Sequence, residues 1–307
     1  MSEHYAAIRR GIKRSFQVSW KLLRVFIPVS ILTYSLKEFG ILSYIEPYLK
    51  PYMSYFGLPG NAVLTLLVGL FNFVYAAIGT MQAIQLDARQ ITIIGVMVGI
   101  AHNVIVEAAI LKEIKMVNWG IIPFRIIIAL IAGYILNLIL PQNMGNIEII
   151  SSHNNINEIS ISEMLFSVLK TSLKVIIILF VLNILYELVM IWDYRHNIKK
   201  QLGFVTKIMG FSEAAFTAWS VGFLIGTFYG IGIMYNLIKD GKLSHKDMSL
   251  VSLWINIAHA IIEDCYIFAI IGGNFFYIAF ARVIIAFIII RLISFNNFYL
   301  KLQFLGV

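Results

Sequence analysis

The chain has 307 residues, of which 60% are hydrophobic and only 13% are charged, with a formal net charge of +8. A soluble protein must cover its core with polar residues, so this composition excludes a soluble enzyme or binding domain and predicts an integral membrane protein. The basic residues are grouped at loop ends, which favours contact with anionic lipid over binding to nucleic acid. The only cysteine, Cys265, lies in an apolar run, so neither a disulfide framework nor a cysteine-based metal site is expected.

Eight apolar segments, each near the length of about 20 residues that crosses the hydrocarbon core, follow one another along the chain. The segments cover residues 16–35, 61–83, 91–111, 119–140, 164–192, 213–237, 248–271 and 275–293. The first is expected to be a retained span rather than a signal peptide, because it has no small-residue cleavage site. A stretch between the fourth and fifth segments is rich in Asn and Ser and has no Lys or Arg. We therefore predict a first membrane repeat at 1–145, an external polar linker at 146–163 and a second repeat at 164–307.

The two groups of four segments resemble each other in sequence. Glycines recur in the second segments at one constant offset, and a short insertion near residues 239–242 then shifts the register. After the insertion, a histidine, an acid and an arginine recur in the same order: His102, Glu107 and Arg125 match His259, Asp264 and Arg282. Such a match between polar residues is not expected by chance in apolar helices, so the pattern indicates an internal duplication.

The distribution of positive charge predicts the orientation of the chain. The amino-terminal arm carries Arg9, Arg10, Lys13 and Arg14 and is predicted to be cytoplasmic, whereas the linker is predicted to be external. A chain that starts inside and crosses the membrane four times ends inside again. To reach an external linker, one of the four segments of each half must therefore enter and leave the membrane on the same side. The second segments fit best, because a turn signal opens each of them and small residues interrupt them. The expected fold is an all-α integral membrane protein with two inverted repeats, each containing about three transmembrane helices and one re-entrant hairpin. The protein is expected in the cell membrane, with both termini in the cytoplasm.

The third segments hold the densest sets of polar residues. Ionisable groups are costly inside a membrane and are therefore candidates for function, and matched segments of inverted repeats meet near the middle of the membrane. The candidates for a substrate or ion site are His102, Asn103, Glu107, His259, Glu263 and Asp264. The alternative is that these groups pair with each other and hold the repeats together. Arg125 and Arg282 lie near the starts of the fourth segments and are expected mainly to reach lipid headgroups.

The second segments supply further candidates, because the N-terminal end of a helix presents backbone N–H groups to an anionic or hydrogen-bonding solute. At the openings of these segments the candidates are Gly57, Pro59, Gly60, Asn61, Ser212 and Glu213, and at the expected helix breaks they are Gly79, Thr80, Gly230 and Gly232. Ordinary loops and helix caps are the competing interpretation. His259 and Glu263 have a metal-like spacing, but no third ligand follows on the same helix, so no resident metal and no cofactor are expected. Phosphate-loop, nucleophile-elbow and zincin motifs are missing, so the chain is not expected to be an enzyme.

Several of these motifs together resemble a known family. Gly57-Leu58-Pro59-Gly60, the small-residue segment after it, and Ile100-Ala101-His102-Asn103 followed by Glu107-Ala108-Ala109 resemble the Gate superfamily, the "nucleoside recognition" domain. The superfamily includes concentrative nucleoside transporters, the membrane part of ferrous iron transport protein B, and spore maturation proteins A and B. The resemblance covers essentially the whole chain, with one Gate unit in each half, and implies inverted repeats, re-entrant hairpins, a central solute site and often a homo-oligomer. Neither the nucleotide-hydrolysing domain of the iron transporters nor the extra scaffold helices of the nucleoside carriers is found here, so neither substrate follows directly.

Three functions are compatible with the sequence. The first is a secondary transporter of a small polar solute, nucleoside-like or a small organic anion, coupled to H⁺ through the His–acid cluster or to Na⁺ through Asn and carbonyl ligands. The second is a divalent metal (Fe²⁺) permease that uses imidazoles and carboxylates as transient ligands. The third is a non-transporting membrane partner, like an accessory protein of spore maturation or envelope assembly. Uptake into proteoliposomes separates the first two from the third.

Overall fold

A computed structural model describes residues 2–81, 83–84, 86–113, 119–144, 161–191, 206 and 208–295, and the regular elements within them are all helical. The first half contains α1 (Ser2–Glu38), α2 (Ile41–Met53), α3 (Ala62–Phe71), α4 (Val74–Met81), α5 (Ala88–Ala101), α6 (Val104–Glu113) and α7 (Ile121–Ile139). The second half contains α8 (Ile161–Ile191), α9 (Glu213–Ile225), α10 (Thr227–Lys239), α11 (His245–Ile257), α12 (Ile261–Ile270) and α13 (Phe275–Phe295). Most of the predicted linker at 146–163 lies outside the described residues.

Within the described residues, six helical segments are long and apolar enough to cross a membrane. They are His4–Glu38, Ala88–Glu113, Ile121–Ile139, Leu165–Leu185, His245–Ile270 and Phe275–Ser294. Three fall in each half, which confirms the predicted all-α membrane fold with three spans per half. The orientation of these spans, and hence the inverted relation of the two halves, stays a prediction.

Both second segments fold back on themselves. The Thr80 hydroxyl donates a hydrogen bond to the Thr65 hydroxyl over 2.7 Å, so α3 and α4 lie side by side. In the second half, a Cβ built on Gly230 would lie 2.6 Å from the Cα of Gly222, although residues eight apart in one straight helix would be about 12 Å apart. Each second segment is therefore a helical hairpin, the shape that a re-entrant segment requires.

The hairpins turn at Asn72–Phe73 and at Gly226, so the prediction of breaks at Gly79-Thr80 and at Gly230 to Gly232 is wrong. Gly226 has φ 135°, a conformation that side chains rarely adopt. The glycines that suggested breaks lie inside helices and permit close packing instead. A Cβ on Gly79, for example, would lie 3.1 Å from the carbonyl oxygen of Phe26 on α1. Because small residues serve both purposes in membrane helices, their density alone does not locate a turn.

The third segments are also interrupted, which the sequence did not predict. α5 ends before His102 and Asn103, and α11 ends before residues 258–260. At these breaks Asn103 has φ 48° and Ala260 has φ 44°, and non-glycine residues in this left-handed region are uncommon. The two interrupted spans form the centre of the molecule, because 78% and 72% of their apolar windows are buried, compared with 28–33% for the other spans.

One further helix, α2, was not predicted. Pro47 and Pro51 lie inside it, and its tyrosines at 44, 48 and 52 are exposed. Prolines usually mark helix ends, so a helix that contains two of them is not expected from the sequence. Exposed tyrosines are typical of helices at a membrane–water interface.

Candidate functional site

The interrupted helices bring the two matched histidines together at the centre of the molecule. Nε2 of His102 lies 3.1 Å from Nε2 of His259, and both side chains are at most 5% exposed. Nδ1 of His102 lies 3.0 Å from the carbonyl oxygen of Val98, and Nδ1 of His259 lies 2.7 Å from that of Ile255. Each ring is thus fixed by the last turn of its own helix and points towards the other half of the chain.

Arg125 holds the break between α5 and α6. The guanidinium is fully buried and donates to the carbonyl oxygens of Ile100 over 2.8 Å and of His102 over 3.0 Å. It also donates to Glu107 over 2.6 Å. Carbonyl groups at the end of a helix have no partner within the helix. Arg125 satisfies them and at the same time balances the charge of a buried carboxylate.

Arg282 repeats this arrangement at the break between α11 and α12. Its guanidinium donates to the carbonyl oxygens of Ile257 over 3.4 Å and of His259 over 2.9 Å, and to Asp264 over 3.1 Å. Both arginines are 0% exposed, so the expectation that they reach lipid headgroups is wrong. An arginine near the end of an apolar segment turns inwards when carbonyl groups and a carboxylate can accept its hydrogen bonds, and in each half the helix break supplies these partners.

Several side-chain contacts join the two halves around the histidines. Oε1 of Glu107 lies 3.3 Å from Nε2 of His259 and accepts a hydrogen bond from the Thr227 hydroxyl over 3.1 Å. On the other side, the Tyr75 hydroxyl donates to Glu263 over 2.5 Å. Thr227 and Tyr75 belong to the two hairpins. The central cluster, defined as His102, Glu107, Arg125, His259, Glu263, Asp264 and Arg282, therefore lies where both hairpins meet both interrupted helices.

The hairpin turns are tied to the breaks by backbone hydrogen bonds. The Asn103 N–H lies 3.0 Å from the carbonyl oxygen of Asn72 and 3.2 Å from that of Gly69, while the Ala260 N–H lies 3.3 Å from that of Gly222. Nδ2 of Asn103 is buried and has no hydrogen-bond partner. A donor of this kind, placed beside charged groups, is available to a polar ligand.

The residues predicted at the openings of the hairpins lie elsewhere. Gly57 packs against Arg89 and Asn137, and Gly60 packs against the backbone of Glu46, while the backbone N–H of Ser212 donates to Asp247 over 2.6 Å. These openings are separated from the turns by the whole of α3 or α9, about 15–20 Å at 1.5 Å per residue. The structure therefore does not bring Gly57, Pro59, Gly60, Asn61, Ser212 or Glu213 to the central cluster.

Sequence reasoning placed Arg125, Arg282, Tyr75 and Thr227 outside its set of site residues. Arg125 and Arg282 did carry a signal, because both belong to the duplicated His–acid–Arg pattern. Thr227 and Tyr75 do not belong to that pattern, and their contacts depend on where the hairpins turn. Among the predicted residues, Thr80 joins the two limbs of the first hairpin. Gly79 lies within α4 of that hairpin, and Gly230 and Gly232 lie within α10 of the second hairpin.

Comparison with known proteins agrees with this architecture. Residues 19–117 match the Gate family model, described as "Nucleoside recognition", and this range contains the first hairpin, His102 and Glu107. The chain is 27% identical over 271 residues to the "Uncharacterized membrane protein YvoD" of Bacillus subtilis (strain 168), covering 85% of this chain and 86% of that protein. No solved structure matches the chain. The protein is therefore a multi-pass membrane protein whose residues 19–117 match the Gate, or nucleoside recognition, family model.

Proposed function

We propose that this protein is a secondary transporter of a small polar solute, either nucleoside-like or a small organic anion, driven by a gradient of H⁺ or Na⁺. The observation that supports the proposal is the central cluster itself. Its charged groups, all buried except the half-buried Glu263, lie between two hairpin turns and two helix breaks, within spans of 26 residues each. Backbone groups that are free of helical hydrogen bonds are tolerated at membrane depth when they line a binding site.

Glu263 is the group in the cluster best suited to contact a solute. The other two carboxylates, Glu107 and Asp264, are each bound to a buried arginine. The partner of Glu263 is instead the hydroxyl of Tyr75, on the second limb of the first hairpin. A neutral partner can be exchanged for a solute hydroxyl or amine at less electrostatic cost than a charged one. Movement of the first hairpin would separate Tyr75 from Glu263 and open the cluster.

The cluster is packed shut in this structure, so transport requires such a movement. A shallow pocket too narrow to hold a water molecule lies next to Tyr75, lined by Leu22, Phe26, Tyr75, Ile78, Ser172 and Val175. Its lining is mostly apolar and does not suit a polar solute. The transporter would therefore bind its solute in a conformation in which a hairpin has moved away from the interrupted helices, as alternating access demands.

Uptake by proteoliposomes tests the proposal. Vesicles containing the purified protein would be offered labelled uridine, adenosine, succinate and Mn²⁺, each with an inward H⁺ gradient, an inward Na⁺ gradient or neither. We expect gradient-driven accumulation of at least one organic solute, and its loss in Glu263→Gln. Glu38→Gln serves as the matched control, because Glu38 is exposed at the end of α1.

Two results would contradict the proposal. Accumulation of Mn²⁺ without any organic solute would favour the divalent-cation permease. Lack of uptake of every compound by a folded, monodisperse protein would favour the non-transporting membrane partner. Glu107→Gln is a weaker test than Glu263→Gln, because it leaves the buried charge of Arg125 without its carboxylate and so affects folding as well.

A further inference from the structure

In their neutral forms, His102 and His259 have no ring hydrogen between their facing nitrogens. A carbonyl oxygen can only accept a hydrogen bond, so the two Nδ1 atoms that face Val98 and Ile255 must both carry the hydrogen of their rings. A neutral imidazole has a single ring N–H, which leaves both Nε2 atoms as lone-pair acceptors. Two such lone pairs 3.1 Å apart repel each other unless a cation lies between them.

The surroundings of the pair are those of a metal site. The second ring N–H of a metal-binding histidine typically donates a hydrogen bond to a backbone carbonyl or a carboxylate, and in both rings here Nδ1 faces a backbone carbonyl. Carboxylate oxygen is also at hand: Oε1 of Glu107 lies 3.3 Å from Nε2 of His259. In addition, one ligand atom from each of His102, His259 and Asp264 falls within 4.8 Å of the other two.

The distance between the nitrogens also fits. Two nitrogens that each lie about 2.1 Å from one ion and 3.1 Å from each other subtend an angle of about 95° at the ion. This angle lies between those of octahedral and tetrahedral coordination. The positive charge of each neighbouring arginine is balanced by a paired carboxylate, Glu107 for Arg125 and Asp264 for Arg282.

We propose that the Nε2 atoms of His102 and His259 bind one divalent transition-metal ion, with Glu107 and Asp264 as the flanking carboxylates. Imidazole and carboxylate ligands suit first-row ions from Mn²⁺ to Zn²⁺, whereas Ca²⁺ and Mg²⁺ prefer all-oxygen sites. The sequence suggested these side chains as transient ligands of a permeating Fe²⁺ but predicted no resident metal, because His259 and Glu263 have no third ligand on their own helix. The inference concerns binding, and it stands whether or not the ion crosses the membrane.

Metal titration of the purified full chain tests the proposal. The protein, carrying an affinity tag without histidine, would be treated with a chelator and then titrated with Zn²⁺ and Co²⁺, with bound metal measured after dialysis. We expect one ion per chain. His102→Gln and His259→Gln should each weaken binding by about 100-fold or more, since even the loss of a supporting residue around a metal costs about 10–100-fold. His245→Gln is the matched control, because His245 is exposed at the start of α11, and its affinity should equal that of the wild type.

A second measurement needs no variant and therefore does not depend on whether the histidine variants fold. The electron paramagnetic resonance spectrum of the wild type loaded with one equivalent of Cu²⁺ should show coupling to two imidazole nitrogens. Coupling to one nitrogen or to none, sub-stoichiometric Zn²⁺ binding by the wild type, or unchanged binding in the His102→Gln/His259→Gln double variant would each overturn the proposal. Uptake of an organic solute by a protein that fails these tests would remove the metal site and leave the transporter proposal intact.

Discussion

The contact between the limbs of the second hairpin predicts a sharp difference between two glycines on the same helix. A Cβ on Gly230 would lie 2.6 Å from the Cα of Gly222 and 2.9 Å from Cδ1 of Ile255, whereas a Cβ on Gly232 would meet nothing within 4 Å. Alanine should therefore force α9 and α10 apart at position 230 and fit freely at position 232. Overpacking of this kind typically costs about 1–3 kcal/mol.

The magnitude follows from comparing the two variants. Replacing glycine by alanine within a helix contributes about 1 kcal/mol of helix propensity at either position. This contribution cancels in the difference, so Gly230→Ala should be less stable than Gly232→Ala by about 1–3 kcal/mol. The free energy of unfolding can be measured by titration with sodium dodecyl sulfate in mixed micelles, followed by circular dichroism. Equal stabilities would mean that α9 and α10 do not pack against each other, and the hairpin would have to be abandoned.

Two further predictions concern the buried arginines and the orientation of the chain. Arg125→Met should lower the free energy of unfolding by about 3–5 kcal/mol, because it leaves Glu107 buried without its partner. The control Arg291→Met, at an exposed position, should change the free energy of unfolding by less than about 0.5 kcal/mol. Similar values for the two variants would place Arg125 at the membrane surface. On a Cys265→Ser background, an impermeant maleimide added to intact cells should label Asn154→Cys but not His4→Cys, and the opposite pattern would contradict cytoplasmic termini.

The sequence was sufficient to predict the number of spans and the two folded-back segments. Length and apolarity decide whether a helix can cross a bilayer, and both can be read from composition alone. The mutual approach of His102 and His259 could also be predicted, because a duplicated chain places matched residues near one axis. The Gate resemblance rested partly on the same residues, and the family match confirms it for residues 19–117.

The details of the site could not be predicted, because they depend on contacts between distant residues. The breaks at His102-Asn103 and at 258–260 contain neither proline nor glycine. Each break is stabilised by one arginine, Arg125 or Arg282, which binds carbonyl groups 23 and 25 residues earlier in the chain. Local patterns cannot reveal such partners. For the same reason Arg125 was expected at the headgroups, since an arginine near a segment end is compatible with either direction until its partners are known.

The claim that a polar solute binds between the two halves is tested most directly by a cryo-EM density map of the protein in nanodiscs with the solute that accumulates best in vesicles. We predict solute density in contact with Glu263 and Thr227, with the Tyr75 hydroxyl moved away from Glu263. Density confined to the outer ends of the hairpins, near Gly57 or Ser212, with Tyr75 still bound to Glu263, would contradict the claim.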